Sequence, residues 1–150
     1  MRNKSNAKHL EKIVAIRQLE KERAKQDLVQ AKLKEEDRDF FKNKTENALS
    51  KSLADWQENL DSTSILPEYL PHYFNNLNES ATKYSTAKKE YNIAVDLVEA
   101  KNTVLSHSDV LLRKTSDIHE KLKRKIVKEK DEREMRKCED RFSYAWSCKS

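Results

Sequence analysis

The chain has 150 residues, 38% of them charged and 36% apolar, with no glycine, two prolines and a formal net charge of +5. Without glycine, left-handed helix caps and primed hairpin turns are costly, which argues against a turn-rich β or α/β fold. It also removes any phosphate-cradling glycine loop or dinucleotide fingerprint. What remains, rich in Ala, Glu, Lys, Leu and Arg with few breakers, is the profile of long helices.

The spacing predicts a first helix from about residue 6 to 59, with Ser5 or Asn6 as its cap. Its apolar row, stepped alternately by four and three, runs Leu10, Val14, Arg17, Lys21, Ala24, Leu28, Ala31. It then passes Glu35, Arg38, Lys42 and Thr45 before Leu49 and Trp56. This seam is apolar at both ends and polar in its centre. Polar seam positions weaken a coiled coil but set its register. Phe40 and Phe41 flank the weak part, where core packing through a local register change is the favoured reading and a docking site the alternative.

An interruption is expected at about residues 60–72. Asp61-Ser62-Thr63-Ser64 are residues that bond their own backbone in turns and caps. Pro67 suits the first turn of a short helix capped by Ser64, and Pro71 is expected to bend or stop that helix. Ile65, Leu66, Tyr69, Leu70, Tyr73 and Phe74 form the densest apolar cluster and are assigned to plugging the closed end of a hairpin, with a share left exposed as a contact surface as the alternative.

The second helix is predicted from about residue 73 to 142, followed by a frayed tail. Every seventh residue from Leu77 reads Tyr84, Tyr91, Val98, Leu105, Leu112, His119, Ile126. A strict period of seven keeps one stripe on one partner along a left-handed supercoil. Ala81, Ala87, Ala94 and Val95 supply smaller companions, with Asn102 and Asp109 as polar ones. The fold class expected is therefore all-α: a long two-helix antiparallel coiled-coil hairpin, one unit over 1–150, with an overhanging C-terminal helix. At 1.5 Å per residue the two helices would span roughly 78 and 105 Å. Pairing about residue 65 leaves everything past about Lys125 without a partner from the chain.

Charge is unevenly placed. Residues 1–50 carry 13 basic and 9 acidic groups, 51–119 carry 7 and 10, and 120–150 carry 11 and 7. A hairpin would gather both basic ends at one tip.

Candidate chemistry is sparse. No Ser/His/Asp or Cys/His arrangement, metal-ligand spacing or cofactor motif stands out, so no catalytic, metal or cofactor site is assigned and no enzymatic activity is expected. His119 reads as a seam residue, and Cys138 and Cys148 as free thiols. No run approaches the ~20 apolar residues that span a bilayer, and the start lacks a signal-peptide core, which favours a cytoplasmic protein. Nucleic-acid binding through the basic tip, with Tyr144 and Trp146 stacking on bases, is disfavoured by the acidic residues that interrupt it from Glu129 onward.

The layout resembles the FliJ/YscO family of type III export proteins. Ile13-Val14-Ala15-Ile16-Arg17-Gln18-Leu19-Glu20-Lys21-Glu22-Arg23-Ala24 is similar to that family's opening helix. Tyr69 and Tyr73-Phe74-Asn75-Asn76-Leu77 are similar to the aromatic start of its second helix. Lys128-Glu129-Lys130-Asp131-Glu132-Arg133-Glu134 is similar to its charged C-terminal stretch. The resemblance implies a stalk like the γ subunit of rotary ATPases, working in a hexameric export ATPase and contacting the export gate and secretion chaperones. It also implies a location peripheral to a secretion apparatus at the inner membrane. On this reading the candidate partner-binding residues are Arg17, Lys21 and Arg23 of the first helix. Lys121, Lys123, Arg124, Lys125, Lys128, Lys130, Phe142 and Trp146 of the second join them. A structural adaptor that dimerises through the overhang is the alternative.

Overall fold

A computed structural model describes residues 2–61 and 67–149, with no description of the side chains of 148 and 149. All described residues are helical: α1 (Arg2–Asp61), a 3₁₀ turn (Pro67–Tyr69) and α2 (Leu70–Lys149). No strand occurs among them.

Both helices are longer than their sequence signals suggest. α1 begins at Arg2 rather than near Asn6. There the Asn3 amide donates to both carboxylate oxygens of Glu129, at 3.1 and 3.2 Å, which ties the first turn down. α2 begins at Leu70, so Pro71 does not break a helix but occupies its first turn. A first-turn residue has no intrahelical N–H bond to lose, and proline is tolerated there. The expected frayed tail after 142 is instead helix to Lys149. Phe142 and Trp146, one turn apart, stack with ring centroids 6.4 Å apart, a contact that supports a terminal turn. The Ser64 cap and the Ile65 and Leu66 part of the plug lie outside the described residues.

The chain forms two compact units, Met1–Arg23 with Ser106–Ser150 and Ala24–Leu105. In Ala24–Leu105 the covered residues of α1 recur at steps of three and four: Ala24, Leu28, Ala31, Glu35, Arg38, Lys42, Thr45, Leu49, Ser52, Trp56. On α2 they are Leu70, Tyr73, Leu77, Ser80, Tyr84, Ala87, Tyr91, Ala94, Val98, Lys101, Leu105. Cross-helix contacts run in opposite chain order. Arg38 Nη1 donates to Glu90 Oε2 at 2.8 Å, the Ser52 and Ser80 hydroxyls bond at 3.1 Å, and the Trp56 and Phe74 rings lie 6.0 Å apart.

This unit explains how a polar seam is tolerated. Its most buried residues are small: Ala87 is 1% exposed, and Ala24, Ala31 and Ala94 are buried too. Alanines on one helix leave space for the aliphatic stems of long polar residues on the other, whose charged ends then reach the edge. Lys42 does this, with Nζ 4.1 Å from the Tyr91 ring centroid and 3.6 Å from Asp39. Buried Thr45 satisfies its hydroxyl on the Lys42 carbonyl at 2.9 Å. With these groups satisfied, the seam needs no register change, and the expected core role of Phe40 and Phe41 is not met. The covered row continues through Arg38 and Lys42, so Phe40 falls on the outer face and is 70% exposed, and Phe41 on the flank is exposed too. Tyr69 and Phe74 are likewise more than half exposed, so these two are not buried in a plug.

In the unit of residues 1–23 and 106–150, Asn3, Ala7, Leu10, Val14, Arg17 and Lys21 are covered on α1. Their counterparts on α2 are Ser108, Leu112, Thr115, His119, Leu122, Ile126 and Glu129. Here too the contacts run in opposite order, Asn3 with Glu129 and Lys21 with Asp109. Asn102, in the unit Ala24–Leu105, was expected as a companion but is exposed, because that row passes through Lys101 and Ser108 instead. From residue 131 to 147 every side chain is exposed, so coverage ends at Glu129 rather than near Lys125. The four extra residues of α1 before Asn6 account for the difference.

Candidate interaction surfaces

The basic segment owes its arrangement to the periodicity around it. Leu122, Ile126 and Glu129 turn inward at steps of four and three, which forces Lys121, Lys123, Arg124, Lys125, Lys128 and Lys130 outward. All six are exposed, and none is in an ion pair among the described residues. Glu129, the acidic residue inside this run, is occupied by Asn3. The segment therefore presents six free cations over ten residues.

The α1 candidates are placed differently. Lys21 is half-buried and holds Asp109 at 2.7 Å, and Asp109 also receives Arg113 at 3.0 Å. Arg17 sits in the seam, donates to Glu20 at 3.0 Å, and has its Nε buried with no hydrogen-bond partner. Only Arg23 of the three is exposed. The structure thus half-buries Arg17 and Lys21 on the covered row of one unit, while Arg23 faces outward.

Beyond Glu129 the apolar stripe changes face. Continuing the covered row would select Arg133, Arg136, Asp140 and Ser143, all polar. The apolar residues Met135, Cys138, Phe142 and Ala145 recur at steps of three and four on another face, with Trp146 beside them. Phe142 and Trp146 are 72% and 71% exposed and stack nearly parallel, at 21°. A helix that exposes an ordered aromatic pair offers the kind of apolar anchor that a groove in a partner protein can accept.

One surface enlarges the docking alternative for Phe40. Leu33 and Phe40 lie on the outer face of α1 with Glu36 and Asp37 between them, forming a shallow surface site with Lys34. The signal was present, since Val29, Leu33 and Phe40 recur off the seam at steps of four and seven.

Among the described residues no group of three or more His, Cys, Asp or Glu side chains could hold a metal ion. Cys138 is a free, exposed thiol. Among them, too, no helix is long and apolar enough to cross a membrane. No protein-family model matches the chain, and searches of curated proteins and of solved structures return no match.

Proposed function

We propose that this chain is a non-enzymatic component of a type III protein export apparatus. In this reading α1 and α2 pair as a long antiparallel coiled-coil hairpin, a γ-subunit-like stalk that engages the export ATPase ring. It links the ring to the export gate and chaperones, in the cytoplasm and peripheral to the inner membrane. The observation that carries the reading is the C-terminal part of α2: six free cations at 121–130 lead into a helix exposed throughout 131–147. Charged, slender and unpaired, it suits insertion into a ring lumen of opposite sign. The test is co-purification with the export ATPase of the same organism and stimulation of its ATP hydrolysis. Reversing Lys123, Arg124 and Lys128 to Glu should abolish both; stimulation that survives the reversal sinks the proposal.

A structural adaptor is the second reading, favoured by the exposed Met135, Phe142, Tyr144 and Trp146. Its dimer would zip through that C-terminal stretch and would dissociate on truncation after Lys130.

A further inference from the structure

Two exposed apolar patches have rims of opposite sign. In the unit Ala24–Leu105, Leu33 and Phe40 flank Glu36 and Asp37, with Lys34 as the one cation. In the other unit, Val127 and Met135 form a shallow site rimmed by Lys123, Arg124 and Lys128, with Asp131 and Glu132 at its far end. The same polarity holds for each unit as a whole. Residues 24–105 carry 11 basic and 14 acidic side chains, net −3, whereas 1–23 with 106–150 carry 20 and 12, net +8. Both patches are exposed in the single chain, so neither is covered by its own residues.

We infer that these patches are complementary halves of a self-association surface: Val127 and Met135 of one copy dock on Leu33 and Phe40 of a second copy. The occupant is a second copy because the matching charge and the matching apolar pair are both found on this chain. Like-on-like contact of either patch would place acid on acid or base on base, which is destabilising. One contact alone leaves an unpaired patch on each copy, and the dimer closes where a two-fold axis lets both form at once. Each contact covers about two helical turns, so the association is expected to be weak and reversible. The inference does not rest on the export reading.

The experiment is sedimentation equilibrium of the intact chain over a range of concentrations and salt. Reversible dimerisation that weakens as salt rises is expected, because exposed ion pairs are screened. Glu36→Lys/Asp37→Lys and Lys123→Glu/Arg124→Glu/Lys128→Glu should each weaken the dimer at least tenfold, on the basis of ~1.4 kcal/mol per factor of ten. An equimolar mixture of the two variants should restore it as a heterodimer, since both contacts again pair opposite signs. Leu33→Ala/Phe40→Ala, which leaves the charges intact, should also dissociate it. A monomer at every concentration, or a dimer that no patch substitution changes, overturns the proposal. So does a dimer lost only with Phe142, Tyr144 and Trp146. None of these outcomes depends on ATPase binding.

Discussion

Within α2, residues 70–129 and residues 131–147 are made of much the same material and behave oppositely. Both are charged, both are helical, and both carry large apolar side chains. In the first, every third or fourth side chain is covered; in the second, none is. Hydrophobic content does not separate them, since Met135, Phe142, Tyr144 and Trp146 are as apolar as most of the seam. Register does. Up to Glu129 one phase of side chains is covered while off-phase apolar residues such as Ile93, Val104 and Val127 stay exposed, and from 131 to 147 no phase is covered. A side chain is buried in such a molecule only where its phase matches a partner helix, and everything else is offered to solvent or to another protein.

The largest effect that tests this contrast is expected at Ala87, the most buried residue. Ala87→Asp inserts a charge and extra volume at a position only 1% exposed. Denaturant unfolding followed by circular dichroism should show a loss of about 3 kcal/mol or more. Ala145→Asp, the same change in the exposed stretch, should fall within about 0.5 kcal/mol of the parent. Comparable losses at the two sites would remove the distinction between the regions.

Next in size is large-to-small truncation. Leu28 is 8% exposed and Phe142 72%, so side-chain volume and burial point in opposite directions. Leu28→Ala should cost about 2–3 kcal/mol, at the low end for core leucines because a two-helix seam has few layers to collapse. Phe142→Ala removes a bigger group and should cost less than about 0.5 kcal/mol. If the phenylalanine proved the more destabilising, the C-terminal stretch would have a packing partner after all.

How much of this was legible in the sequence depends on which physical term governs each feature. Two long helices interrupted once are written in the missing glycine and the period of seven, which are local and one-dimensional. The boundaries were not, because they rest on contacts between distant residues: Asn3 is held by Glu129, and Pro71 is harmless only because the helix starts one residue before it. Phe40 and Phe41 were misjudged for a related reason. Their hydrophobicity suggested that they repair the polar seam, but Glu90, Tyr91 and the small Ala87 and Ala94 already accommodate Arg38 and Lys42. Among the candidate surface residues, the outward face of Lys121 to Lys130 follows from periodicity alone. The engagement of Lys21 by Asp109 does not, since 88 residues separate them and only the pairing register brings them together.

A smaller change sharpens the comparison at its border. Among the described side chains, truncation after Lys130 deletes only exposed ones. The thermal midpoint of the remainder should stay within about 2 °C, the shift expected for under 0.5 kcal/mol in a domain of this size. Helical ellipticity should fall by the contribution of the residues removed. In the intact chain, trypsin should cleave first at Arg133, Arg136, Lys137 or Arg141, where helix has no cover, and stop near Lys130. A marked drop in midpoint would mean that the exposed helix stabilises the covered one.

The smallest effect is expected at the ion pair inside the polar seam. Arg38 and Glu90 meet at 2.8 Å, yet their side chains are 40% and 41% exposed. Solvent screens a pair this open, so a double-mutant cycle with Arg38→Met and Glu90→Gln should give a coupling of only about 0.3–0.5 kcal/mol. Stability in this layer comes instead from the alanines behind the pair, which let the two helices approach. What the pair supplies is register: a slip by one heptad sets Arg38 against Lys83 or Leu97 and leaves Glu90 without its cation. The matched reversal Arg38→Glu/Glu90→Arg should therefore retain both stability and the Ser52–Ser80 alignment. Arg38→Glu alone sets two carboxylates against each other. Distance measurements between spin labels at Ala48 and Lys83 should show two alignments for the single variant and one for the reversed pair.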